Sequence, residues 1–152
     1  MVQQAIDISR IIQRLVEMCD EARAQADVHD KAAKRSKKYK DIHTTVAVIA
    51  GIASSSVLFG LLGTIAPETT KWIGAILLFL SAYCVAINTY WKFPEREASH
   101  IGIAKRLNAF ADSCTYAIDE YKSGVFGSET FRVLLEHHNV DYQVIKTDSP
   151  PV

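Results

Sequence analysis

The chain has 152 residues, with 17 basic and 17 acidic side chains and no net formal charge. That length fits one modest domain, and the neutral total says nothing about partners because the charges come in blocks. Its three cysteines, Cys19, Cys84 and Cys114, lie far apart and show no metal spacing, and an odd count without paired spacing suits a reducing compartment. The start, MVQQAIDISR, has no apolar signal core, so no cleavable secretory peptide is expected.

From Val2 to Ala50 there is neither Gly nor Pro. Apolar or small residues recur at Ile8, Ile12, Leu15, Cys19, Ala22 and Ala26, in steps of three and four, and Ile11, Val16 and Met18 widen the stripe. This is the pattern of an amphipathic helix, and nothing breaks it through residue 50. The stripe thins to alanine after Ala22, which lets a neighbour approach closely. Lys31, Lys34, Arg35, Lys37, Lys38 and Lys40 then form a basic block with no acidic residue between them. Such a block keeps its side of a membrane cytoplasmic and attracts anionic head groups. No aromatic platform accompanies it except Tyr39, so direct nucleic-acid binding is not expected.

Residues 44–66 and 72–91 contain no charged side chain. About 20 apolar residues at 1.5 Å each cross a hydrocarbon core of about 30 Å. In hydrocarbon the backbone must bond to itself, so each run is expected to be helical. A link of only five residues, Pro67–Lys71, makes the expected pair an antiparallel hairpin. Trp72, Tyr90 and Trp91 stand at the ends of the second run, where amphipathic rings favour the interface. Soluble helices of this length carry a charged stripe, and neither run has one. Lys92, Arg96, Lys105 and Arg106 follow the hairpin, whereas the link holds only Lys71. Both termini are therefore expected in the cytoplasm and the link outside.

Phe93-Pro94 marks a joint, after which Glu95 and Glu97 suit the positive end of a new helix. That helix is predicted over Glu95–Lys122. Its stripe is Ala98, Ile101, Ala104 (or Ile103), Leu107, Phe110, Ala111, Cys114, Ala117, Ile118 and Tyr121. It should pack antiparallel on the amino-terminal helix, and Gly124 and Gly127 should end it. Ser128 is placed to cap a short helix over residues 129–138, ending near Asn139. Residues 140–145 alternate weakly, as a short strand or an ordered tail. The predicted fold is thus an all-α membrane protein: an amphipathic cytoplasmic helix (1–43), a two-helix transmembrane hairpin (44–91) and a cytoplasmic helical region with a tail (92–152).

No catalytic constellation stands out, and neither a metal site nor a cofactor is expected. Glu97 and His100 are three apart on one helix face, but only one such pair exists. Within the apolar runs, Gly74, Ser81 and Asn88 are seven apart on one face, and Ala47, Gly51 and Ser55 are four apart on another. Small residues let helices approach, and Ser or Asn can bond across. The other reading is a polar stripe lining a water path, which one hairpin cannot enclose and several copies can.

The plan of long amphipathic helix, basic approach, two apolar runs and a following helix resembles a bacterial family. The residues that carry the likeness are Lys37-Lys38-Tyr39, Trp91-Lys92-Phe93-Pro94-Glu95, and His100, Ala104 and Leu107. The family is the SMODS- and SLOG-associating two-transmembrane effectors (SLATT). The resemblance spans nearly the whole chain and implies a membrane effector of an anti-phage system. Such an effector is a homo-oligomer that forms a pore or disrupts the inner membrane, works with a nucleotide-sensing or nucleotide-producing partner protein, and has no catalytic residues. This chain shows no fused nucleotide sensor, so a separate protein or the chain's own cytoplasmic helices would sense the signal. The alternative is a non-conducting membrane scaffold or sensor that recruits a cytoplasmic partner.

Overall fold

A computed structural model describes residues 2–55, 60 and 67–151. The described residues are helical, with no strand among them: α1 (Val2–Ala53), α2 (Pro67–Trp91), α3 (Phe93–Lys122) and α4 (Ser128–Asp148). They group into two compact units, one of Met1–Ala33 with Ala98–Val152, the other of Lys34–Glu97.

In the first unit, α1, α3 and α4 surround one core. Leu15, Cys19, Ala22 and Ala26 of α1 meet Leu107, Ala111, Cys114 and Ile118 of α3, and α4 adds Phe131, Tyr142 and Ile145. The α1 and α3 segments run antiparallel, because Cys19 Sγ donates to Ala111 O (2.9 Å) while His29 meets His100. The α4 helix runs antiparallel to α3: Phe131 stacks on Tyr121 near one end and Arg106 pairs with Asp148 (3.1 Å) near the other.

Several expectations change here. The inward register at the start of α3 is His100, Ile103 and Ala104, whereas Ala98 and Ile101 face outward. The polar His100 points inward because a second buried histidine receives it. Val16 of α1 is exposed as well, whereas Met18 joins the core and Ile11 packs against it. The α3 helix ends in a Schellman motif: Val125 N donates to Glu120 O and Gly124 N to Tyr121 O, both 3.0 Å, with Gly124 at φ 80°. The expected stop at Asn139 and the strand or tail over 140–145 are replaced by one helix through Asp148. Phe131, His138, Tyr142 and Ile145 are all buried, so the apolar face continues where alternation suggested a strand. Gly127, not Ser128, is the N-cap residue, and no side chain caps that end.

In the second unit, α1 and α2 lie against each other. The faces turned inward on α2 are Thr70, Gly74, Leu77, Ser81, Cys84 and Asn88, a three–four spacing. Opposite them, Ala47 and Ala50 are buried and His43 and Gly51 half-buried. The segments run antiparallel, since Ser81 Oγ donates to Ala47 O (3.0 Å) and Asn88 Nδ2 to Thr44 Oγ1 (3.2 Å).

The ends of this pair differ from expectation. The α1 helix stops at Ala53, well before Ala66. Ser54 Oγ donates to Gly51 O (2.9 Å) and Ser55 N to Ile52 O (3.0 Å), so hydroxyl competition and a tightened last turn close the helix. The rest of the first apolar run, apart from Gly60, lies outside the described residues. The link expected at Pro67–Lys71 is instead the first turn of α2. Proline is pre-organised for a first helical position, and Glu68 suits the positive end of the dipole.

Among the described residues, one helical stretch, beginning at Glu68, is long and apolar enough to cross a membrane, and only 11% of its apolar window is buried. Trp72, Phe79 and Tyr90 are 71%, 74% and 82% exposed, and Ile73, Ile76, Leu78 and Val85 also face outward.

Candidate functional site at the Lys92 joint

The break between α2 and α3 falls at Lys92. Pro94 lacks an N–H, and its ring would clash with the carbonyl of Tyr90, four residues back, so a helix running through would be kinked or broken here. The chain turns at Lys92 with φ 49°, the left-handed region that favours glycine. A lysine there costs about 1–3 kcal/mol, which surrounding contacts must offset. The Lys92 carbonyl accepts from Arg96 N (3.0 Å), and Phe93 is the first residue of α3.

Aromatic rings surround the turn. Phe93 stacks with Tyr39 (5.9 Å between centroids), His43 (6.0 Å) and Trp91 (6.5 Å), while Arg96 lies over the Trp91 ring at 5.7 Å. Next to this stack, Lys40 Nζ pairs with Glu97 Oε2 at 2.5 Å. The hydrogen bond to Glu97 holds the Lys40 ammonium above its usual pKa. Tyr39, Lys40 and His43 thus tie α1 to both sides of the turn. These partnerships were not legible beforehand, because they join residues about 50 positions apart. The one available signal was their three–four spacing, which continues the α1 stripe through the basic block.

Glu97 and His100, adjacent on one helix face, take different partners. Glu97 meets Lys40, and His100 Nδ1 lies 2.9 Å from His29 Nδ1 in a buried pair. Burial lowers the His29 pKa. Ala104 and Leu107 are core residues of the first unit. Among the basic residues, Lys31 pairs with Asp27 (2.5 Å), Lys40 with Glu97, and Arg35, Lys37 and Lys38 are exposed; Lys34 is exposed and not free of interaction.

The polar residues of the apolar runs fall in the second unit. Ser81 and Asn88 direct hydrogen bonds at α1, and Gly74 is buried. A methyl group added at Gly51 would sit 3.7 Å from Ser81 Oγ, an ordinary contact, so glycine is not sterically required there. Ser55 is exposed. A crevice of about 540 Å³ opens between α1 and α2, walled by Val48 and Val85 and edged by Thr44, Asn88, Thr89, Lys92 and Glu95. Asn88 Oδ1, closed off from water, has no hydrogen-bond partner. Among the described residues no group of three His, Cys, Asp or Glu side chains could hold a metal.

No family model, curated protein or solved structure matches this chain.

Proposed function

We infer that the chain is a multi-pass membrane effector of a bacterial defence system, acting as a homo-oligomer that opens or disrupts the inner membrane. The observation that carries the membrane part is the exposed apolar surface of α2: its most water-averse stretch is also its least buried. A soluble fold would cover that surface. In this reading α2 is the second span, and the first apolar run, whose α1 part ends at Ala53, supplies the first. The basic residues at Lys31–Lys40 and Lys92–Arg106 hold both termini in the cytoplasm. The defence role, the nucleotide-linked partner protein and the absence of catalysis rest on the resemblance to the SLATT family. Several copies would assemble, and a trigger acting on the cytoplasmic helices would pass to the second span along the chain at Phe93–Pro94.

A second reading, a non-conducting scaffold or sensor, is favoured by one observation. Ser81 and Asn88 spend their donors on α1 within one chain, as packing residues do. Liposome flux separates the two. The purified full chain should release a small entrapped ion, and Asn88→Leu in a well-folded variant should change that conductance. Unchanged conductance removes Asn88 from the lining, and absence of any flux from triggered, oligomeric protein leaves the scaffold reading.

A further inference from the structure

The crevice beside Lys92 carries a charge pattern that the oligomer reading does not use. Its walls, Val48 and Val85, are apolar, and its edge presents one cation, Lys92, and one carboxylate, Glu95. Neither has an ion-pair partner among the described residues. Thr44 and Thr89 also edge the crevice, their hydroxyls bonded to Asn88 Nδ2 and Val85 O. The backbone at Lys92 occupies a conformation that glycine would adopt more readily, yet a lysine stands there.

We propose that this crevice binds one phospholipid with a primary ammonium head group, of the phosphatidylethanolamine class. The acyl chain lies along Val48 and Val85, Lys92 meets the phosphate, and Glu95 accepts from the ammonium. The proposal rests on the bilayer placement given above. In that placement Tyr90 and Trp91 mark the head-group level, so Lys92 and Glu95 lie where a lipid phosphate and amine lie. The balance of charge decides the lipid class. A single cation beside a single carboxylate suits a zwitterion better than a net anion, which Glu95 would repel. The need for a donor then separates ethanolamine from choline. A quaternary ammonium has no N–H to give to the Glu95 carboxylate, whereas a primary ammonium has three.

The test is native mass spectrometry of the full chain in detergent, with ethanolamine, choline and glycerol phospholipids of identical acyl chains. One ethanolamine lipid per chain should bind about tenfold more tightly than its choline counterpart, the equivalent of about one charge-assisted hydrogen bond. Glu95→Gln should abolish that preference. Lys92→Gly, which relaxes the backbone while removing the ammonium, should weaken both zwitterionic lipids alike. Circular dichroism of each variant checks that its helices persist. Equal binding of ethanolamine and choline lipids, strongest binding of the glycerol lipid, or a preference that survives Glu95→Gln would each overturn the proposal. Those outcomes leave the membrane reading standing, whereas a chain that stays soluble without detergent removes that reading first.

Discussion

At the scale of single residues, the buried histidine pair has the clearest consequence. Two neutral imidazoles can share one proton across 2.9 Å, one donating and the other accepting. Protonating both would put two cations in a buried site. Burial lowers the folded pKa of His29 below its ordinary 6.5. A depressed folded value means that the unfolded chain binds protons first as pH falls. The contribution to stability is therefore present above about pH 6.5 and lost as pH drops through the lower folded value. Thermal unfolding of the full chain should show a lower midpoint at pH 5 than at pH 7.5, and His29→Gln should shrink that difference. A midpoint equally pH-dependent in the variant would show that other groups dominate.

The cysteines make a second prediction at this scale. The sequence separates Cys19 and Cys114 by 95 positions, and no spacing rule joins them, yet α1 and α3 bring their thiols together in the core. Burial first, and then the neighbouring Cys19, pushes the Cys114 thiol up to about 12. The thiolate is the reactive form, so Cys114 should resist a maleimide at pH 7 until the protein is unfolded. Rapid labelling of folded protein at Cys114 would contradict this packing.

At the scale of the elements, register was legible where the stripe was purely apolar and illegible where it was polar. Leu107, Phe110, Ala111, Cys114, Ala117 and Ile118 face the core as their three–four periodicity predicts. Two turns earlier the same helix buries His100 and leaves Ile101 37% exposed, since the partner His29 sits 71 residues away and composition cannot reveal it. The α4 helix was underestimated for a similar reason. His138 and Tyr142 carry its inward face, and their aromatic bodies pack on Phe110 (5.8 and 5.2 Å between centroids) although they count as polar in a simple pattern. These assignments predict an asymmetry. Leu107→Ala, at a fully buried position, should cost about 2–5 kcal/mol of stability. Ile101→Ala should stay within about 0.5 kcal/mol, as surface substitutions do. Denaturant unfolding of both variants decides the register, and equal losses would contradict it.

At the scale of the whole molecule, the division of labour follows from where apolar side chains can hide. The first unit buries Leu15, Leu107, Phe131 and their neighbours among three helices. The second turns small and polar side chains inward, among them Ala47, Ala50, Gly74, Ser81 and Asn88, and large ones outward. That inversion is costly in water and natural in hydrocarbon, where small interfaces pack closely and large side chains meet lipid. The charge-free run over 72–91 foretold the one described helix long and apolar enough to cross a membrane, but the joint at Lys92, with its aromatic stack and Lys40–Glu97 pair, came only with the folded chain. The most direct measurement is fractionation of cells expressing the intact chain, followed by an alkaline carbonate wash. The expected result is a protein that stays in the membrane pellet through the wash and is released only by detergent. Recovery in the soluble fraction without detergent would contradict the account at its base.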